Sequence, residues 1–381
     1  MKYEKYVLRA ILLASIAAVT LSSPTALTAI STTPAACAQT AATTDTATET
    51  TTTTTTTVAD DTLFVGDTAD NTIKIIDITE GEGEVFIARN NAEEEYRLQG
   101  PRGMVVVDDT LVVVNQNVNL GKRGEILKFN IESGDFEGFL VKNSDRNAPW
   151  APRGMVISSD GQVVYIASFE GRASTKSNLA PGAILAYDAQ TGQFLGSFTP
   201  DEGVLPSGTE FHPRGLVFSP NDGKLYISGT GDLISDQLTG YVLTFDPETQ
   251  EFELFVSTQD APDLHRPEGL AFDSEGNLWV TSFRADATDT DKILAFNSEG
   301  ELINTIELYE SGEPRAFAQA ILFGPDGDLF VPISNTGELR RYDTDTGEYT
   351  VVTEAGDPLL APWYLTFKAT DPSTLEYSGT N

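Results

Sequence analysis

An all-β fold, a six-bladed β-propeller, is predicted for this 381-residue chain by three observations. A hairpin with a marked beginning recurs along it, each copy is followed by two further short strands, and the strand that completes the first group stands at the opposite end of the chain. The hairpin is clearest at residues 265–283 (HRPEGLAFDSEGNLWVTSF). Pro267, Glu268 and Gly269 form its opening turn, since Pro fixes φ and Gly accepts backbone geometry closed to other residues. An apolar strand, a polar Gly-containing reversal and a second strand follow.

Taken in order, the chain begins outside the fold. Lys2, Lys5 and Arg9 precede an apolar run over residues 10–19 that is too short to span a bilayer, and Ala36, Cys37 and Ala38 resemble a small-residue cleavage site. Residues 1–38 read as a secretory signal peptide, which places the mature protein outside the cell or in a periplasm. A lipoprotein anchored through Cys37 is the second choice, because Pro34 stands where such signals carry Leu. Residues 39–60 are dominated by Thr and lack apolar periodicity, so they read as a disordered linker that buries too little surface to offset its ordering entropy.

The propeller is expected over residues 61–377, with 378–381 as a tail. Residues 62–67 (TLFVGD), 72–78 (TIKIIDI) and 84–89 (EVFIAR) supply second, third and fourth strands only. Copies of the opening hairpin then stand at 100–115, 151–169, 212–228 and 265–283, with a worn copy at 317–334. Third strands follow as GEILKFN, GAILAYD, GYVLTFD, KILAFN and GELRRYD. The first strand missing from the N-terminal group is WYLTFK, residues 363–368, so one blade is closed by strands from both termini. About 320 residues would be large for one simple core but suit six small sheets packed in a ring.

Composition removes several function classes. The chain holds 24 Lys plus Arg against 57 Asp plus Glu; the first 38 residues account for three of the basic residues and one acidic one, leaving 21 against 56. A field of that sign repels nucleic acid and anionic lipid. No nucleic-acid partner and no membrane insertion after signal cleavage are expected, and the protein reads as a monomer. Nucleophile elbows, phosphate loops, HExxH and CxxC patterns are all missing from the sequence.

Function is therefore sought at the channel mouth, where first strands begin and second strands end. The residue before the Gly of each first strand should point there, and around the ring these are Arg102, Arg153, Arg214, Glu268, Gln319 and Trp363. Asn115, at the end of a second strand, is a further ligand-binding candidate. Three consecutive arginines admit two readings. They form a cradle for a small anionic molecule or an acidic protein end, because the guanidinium fork matches oxyanions. Alternatively, each pairs with a neighbouring acid or carbonyl to hold the ring shut.

The hairpin RPEGLAFDSEGNLWVTSF and its copies HPRGLVFSPNDGKLYIS and APRGMVISSDGQVVYIAS resemble the six-bladed propellers of the gluconolactonase and regucalcin (SMP-30/LRE-like) superfamily. They are more loosely similar to NHL-repeat and virginiamycin B lyase-like propellers. In the lactonases an Asn and an Asp in turns one blade apart bind a divalent cation at the mouth. Matching those turns puts Arg214 at the Asn position and Glu268 at the Asp position. Glu268 is able to ligate a metal; Arg214, a cation without lone pairs, is not. The family's N-terminal Glu ligand has no clear match. A lactonase-like hydrolase or lyase would use Glu268 with His212 or His265 as acid and base, and weak Ca²⁺ or another divalent cation held by Glu268, Asp286, Asp289 and Asp291.

Overall fold

The computed structural model describes residues 58–117, 123–172, 174, 179–231 and 239–379. The signal-peptide reading, Cys37, most of the Thr-rich linker and parts of three mouth loops lie outside these residues. The described segments form six four-stranded antiparallel sheets. In chain order, β1 (Leu63–Asp67), β2 (Thr72–Ile76) and β3 (Gly83–Ile87) are followed by a second blade of β4 (Pro101–Val107), β5 (Thr110–Asn115), β6 (Glu125–Asn130) and β7 (Phe136–Val141). The third blade is β8 (Trp150–Ile157), β9 (Val163–Glu170), β10 (Ala183–Asp188) and β11 (Phe194–Phe198). The fourth is β12 (His212–Phe218), β13 (Leu225–Thr230), β14 (Gly240–Phe245) and β15 (Phe252–Ser257). The fifth is β16 (Leu270–Phe272), β17 (Leu278–Ser282), β18 (Lys292–Phe296) and β19 (Leu302–Glu307). The sixth is β20 (Leu322–Phe323), β21 (Leu329–Ile333), β22 (Glu338–Tyr342) and β23 (Tyr349–Thr353), and β24 (Pro362–Phe367) ends the series.

The first blade runs β24-β1-β2-β3, so the strand expected from the C-terminus is its innermost member. Leu63 pairs with Phe367 and Val65 with Leu365. Buried Asp67 fastens this junction by accepting the Leu360 N–H at 2.7 Å and the Ala361 N–H at 3.1 Å. Its charge is met by Lys74, whose Nζ also donates to the Pro358 carbonyl.

Blade regularity starts in local chemistry. Asn130, Asp188, Asp246 and Asp343 open the turns between third and fourth strands, and the Oδ1 of each accepts backbone N–H groups two and three residues on. The apolar faces then pack between blades. One buried cluster joins the first, second and sixth blades, including Leu63, Met104 and Phe330, and others join blades two to three, three to four, four to five and five to six. That sequence of contacts is a closed ring.

At its centre the glycine that follows four of the six mouth residues lets neighbouring first strands touch. A Cβ on Gly215 would lie 2.0 Å from the Glu268 carbonyl oxygen, and one on Gly154 2.7 Å from that of Arg214. Both distances are far inside van der Waals contact, so only glycine fits at this radius.

After β24 the chain does not leave the molecule. Residues 371–377 fold back under the ring: the Ile157 N–H donates to the Pro372 carbonyl at 2.8 Å and the Phe218 N–H to that of Ser373 at 3.0 Å. Leu375 packs against four of the inter-blade clusters.

Candidate functional site

The six mouth positions converge. Pro101, Pro152, Pro213, Pro267 and Pro362 fix the approach to five of them, and the Gly that follows the first four mouth residues allows those inner strands to close up. Arg102 donates from Nη1 to Glu268 Oε1 at 3.0 Å and to Gln319 Oε1 at 2.7 Å, and from Nε to Gln116 Oε1 at 3.3 Å. Arg153 donates from Nη1 to the same Glu268 Oε1 at 2.5 Å. Arg214 Nη1 takes the other oxygen, Oε2. Trp363 lies against the Arg102 guanidinium, its ring centroid 3.7 Å from the guanidinium carbon, and Phe169 sits against Arg153 at 4.3 Å and Arg214 at 5.1 Å.

Among the described residues, three guanidiniums thus meet one carboxylate, and Glu268 is the acid that the ring-closing reading required. Its side chain is 1% exposed. Burial alone would raise its pKa, but Arg153, Arg214 and Arg102 outweigh it and hold the carboxyl at about 2. Arg102 is brought down to about 10, first by burial and then by the charge of Arg153, with Glu268 opposing both. The Arg153 side chain keeps 13% of its surface exposed, and its buried Nε has no hydrogen-bond partner.

A family model described as the SMP-30/Gluconolactonase/LRE-like region matches residues 63–332. The chain belongs to this family. Comparison with curated protein sequences gives no match. Among solved structures the chain is similar to one in a nidogen/laminin complex, at 13% identity and a TM-score of 0.56, covering 80% of this chain and 97% of that one. It is also similar to a periplasmic gluconolactonase of Pseudomonas aeruginosa, at 16% identity and a TM-score of 0.51, covering 80% and 98%. Hydrazine synthase of Kuenenia stuttgartiensis matches at 16% identity and a TM-score of 0.50, covering 76% of each chain. At such identities the likeness to these structures shows the fold alone.

The divalent cation implied by the family resemblance does not fit the residues present. Both oxygens of Glu268 are held by guanidiniums, and Arg214 occupies the position where a neutral oxygen ligand would be needed. Among the described residues no three His, Cys, Asp or Glu side chains group so as to hold a metal. The acids expected beside Glu268 are committed elsewhere. Asp291 is buried and accepts from the backbone N–H groups of Arg284 and Phe317 and from the Arg315 guanidinium. Asp289 pairs with Lys292 at 2.5 Å, and exposed Asp286 caps its own loop through Thr288.

No hydrogen bond among the described residues joins either histidine to Glu268. His212 is 1% exposed; its Nδ1 bonds the Phe169 carbonyl at 3.0 Å and its Nε2 meets Glu210 at 3.2 Å. His265 is half-buried, and burial, opposed by Asp263, lowers its pKa. Asn115 is wholly buried, accepting the Gln99 N–H at 2.7 Å and donating to the Arg97 carbonyl and Glu125, so it fastens its own blade.

Sequence reasoning missed Phe169, which backs two of the arginines, and Tyr364, whose buried ring lies beside the Arg102 guanidinium. Tyr364 stands where the other blades carry Gly or Ala after the mouth residue, and that break in the repeat was a readable signal.

Proposed function

We propose that this propeller is a binding module whose channel mouth accepts one anionic group, from a small molecule or an acidic peptide end, on the arginines around Glu268. The observation that supports it is the sharing of one carboxylate oxygen by Arg102 and Arg153. One negative charge shared by three guanidiniums leaves donor capacity for a second, and partly exposed Arg153 is where it would dock. Phe169 supplies a flat apolar wall beside it, as Trp363 does for Arg102. Lactone hydrolysis through a metal has no comparable support, because Glu268 is already saturated by arginines. The N-terminal signal reading places the binding outside the cytoplasm, and the acidity of the rest of the chain repels competing polyanions.

Thermal-shift screening of wild type and Arg153→Gln against citrate, inorganic phosphate and a sulfated sugar tests this. One class should stabilise the wild type and not the variant, with the unliganded midpoint little changed. A variant that melts several degrees lower, with no ligand response in either protein, would leave the arginines a purely ring-closing role.

A further inference from the structure

Beneath Glu268 the channel narrows to a cavity of about 40 Å³, and its walls are named from opposite ends of the chain: Met104, Met155 and Tyr364 from inner strands, and Leu375 from the loop under the ring. Leu375 adopts φ 58, a left-handed conformation that is uncommon for a side chain of its size. Holding it there are the Asp371 carboxylate, which accepts the Ser373 and Thr374 N–H groups, and a bond from the Leu375 N–H to the Asp371 carbonyl. The loop's ends are joined by the Thr370 to Tyr377 bridge, and the Tyr377 ring packs on Phe367 of the closing strand at 5.4 Å. Two of its carbonyls accept N–H groups from the ends of β8 and β12, donors that would otherwise face solvent at the channel floor. Gln250 holds the same conformation in the equivalent Asp246 turn at a blade edge, so what sets this loop apart is the apolar Leu375 side chain on the axis and not its backbone.

We propose that residues 371–377 are a built-in stopper, with Leu375 closing the channel floor so that solutes enter from the arginine face alone. The segment follows the closing strand directly, so the same stretch of chain that completes the first blade also seals the pocket. This stands whether or not an anion binds at the mouth.

Substituted-cysteine labelling tests it. In a Cys37→Ser background, Met155→Cys places a thiol in the cavity wall, and its rate with iodoacetamide is compared in the full chain, in Leu375→Ala and in a chain ending at Thr370. Val331→Cys, in the core between blades five and six, away from the clusters that Leu375 packs against, serves as a control for global opening. We expect the cavity thiol to be protected in the full chain and to react at least ~10-fold faster in both altered chains, with the control unchanged. Equal rates at position 155 in all three, fast or slow, would overturn the proposal. So would equal acceleration at the control, since the loop would then be holding the whole fold instead of closing the channel. Leu375→Met, which refills the space, should restore protection.

Discussion

The Trp363 indole lies over the Arg102 guanidinium, 3.7 Å from guanidinium carbon to ring centroid. Trp363 is on the strand that arrives from the C-terminus, and Arg102 opens the second blade, so this contact spans the junction where the ring is closed. Arg102 also reaches Glu268 and Gln319. One guanidinium therefore ties together four of the six mouth positions. Trp363→Ala should cost about 2–4 kcal/mol, from lost ring area and the cation–π contact, read as a lower denaturant midpoint. A midpoint unchanged from wild type would show that the stack does not help close the ring.

Loss of the whole strand should be far more severe. A chain ending at Ala361 loses β24, exposes the edge of β1 and removes the pairing of Leu63–Asp67 with Pro362–Phe367 that orders the first blade. The expected result is loss of a single cooperative melt, checked by calorimetry against the full chain; removing residues 39–57 should barely move the melt.

Close approach at the axis makes a second specific forecast. Gly215→Ala would put a methyl 2.0 Å from the Glu268 carbonyl oxygen. The inner strands of blades four and five must then move apart, at a cost of about 2 kcal/mol or more. The same substitution at Gly161, where nothing lies within 4 Å of the added carbon, is strained only by its own φ of 72 and serves as the comparison.

The depressed Glu268 pKa gives a pH dependence whose sign is fixed. Its ordinary value is 4.5 and its folded value about 2, so the unfolded chain binds this proton first as pH falls. The stabilisation is complete above about pH 5 and is lost progressively as pH falls through 4.5 towards 2. His265 acts in a higher window: its folded pKa lies below the ordinary 6.5, so stability drops as pH falls beneath that value. Urea midpoints from pH 7 to pH 2 should show both losses in wild type, and His265→Gln should remove only the upper one.

Calcium should bind weakly if at all. The acids of residues 286–291 are engaged with Thr288, Lys292 and Arg315, and Glu268 with arginines. Calorimetry with Ca²⁺ is expected to show no sub-micromolar site, and such a site lost in Glu268→Gln would revive a metal-dependent reaction.

Much of this was legible before any coordinates. The Pro-x-Gly openings recur, and in a ring equivalent positions must face the same axis, so six residues scattered over 261 positions from Arg102 to Trp363 could be brought together by counting blades. What counting cannot supply is pairing across the axis: whether the arginines meet an outside anion or Glu268 depends on the channel's radius, which the glycines set. Asp291, expected beside Glu268 as a metal ligand, is engaged elsewhere for the same reason. Its partners Arg315 and Phe317 come from the chain entering the next blade, a non-local contact with no repeat to reveal it. Leu375 is a single apolar residue in a polar stretch after the last strand, and nothing in its own neighbourhood tells a stopper from a tail.

On the proposed reading the mouth is a carboxylate cradle, filled at its base by the protein's own Glu268. Glu268→Ala removes that carboxylate and leaves Arg102 and Arg153 buried without the charge they share. The loss of stability should be about 3–5 kcal/mol, and added formate or acetate should restore part of it by occupying the vacated position, while chloride at equal ionic strength should do less. Recovery of the melting midpoint with small carboxylates, saturating with concentration and larger than any shift they give wild type, is the predicted result. A variant as stable as wild type, or a loss that no carboxylate relieves, would contradict it.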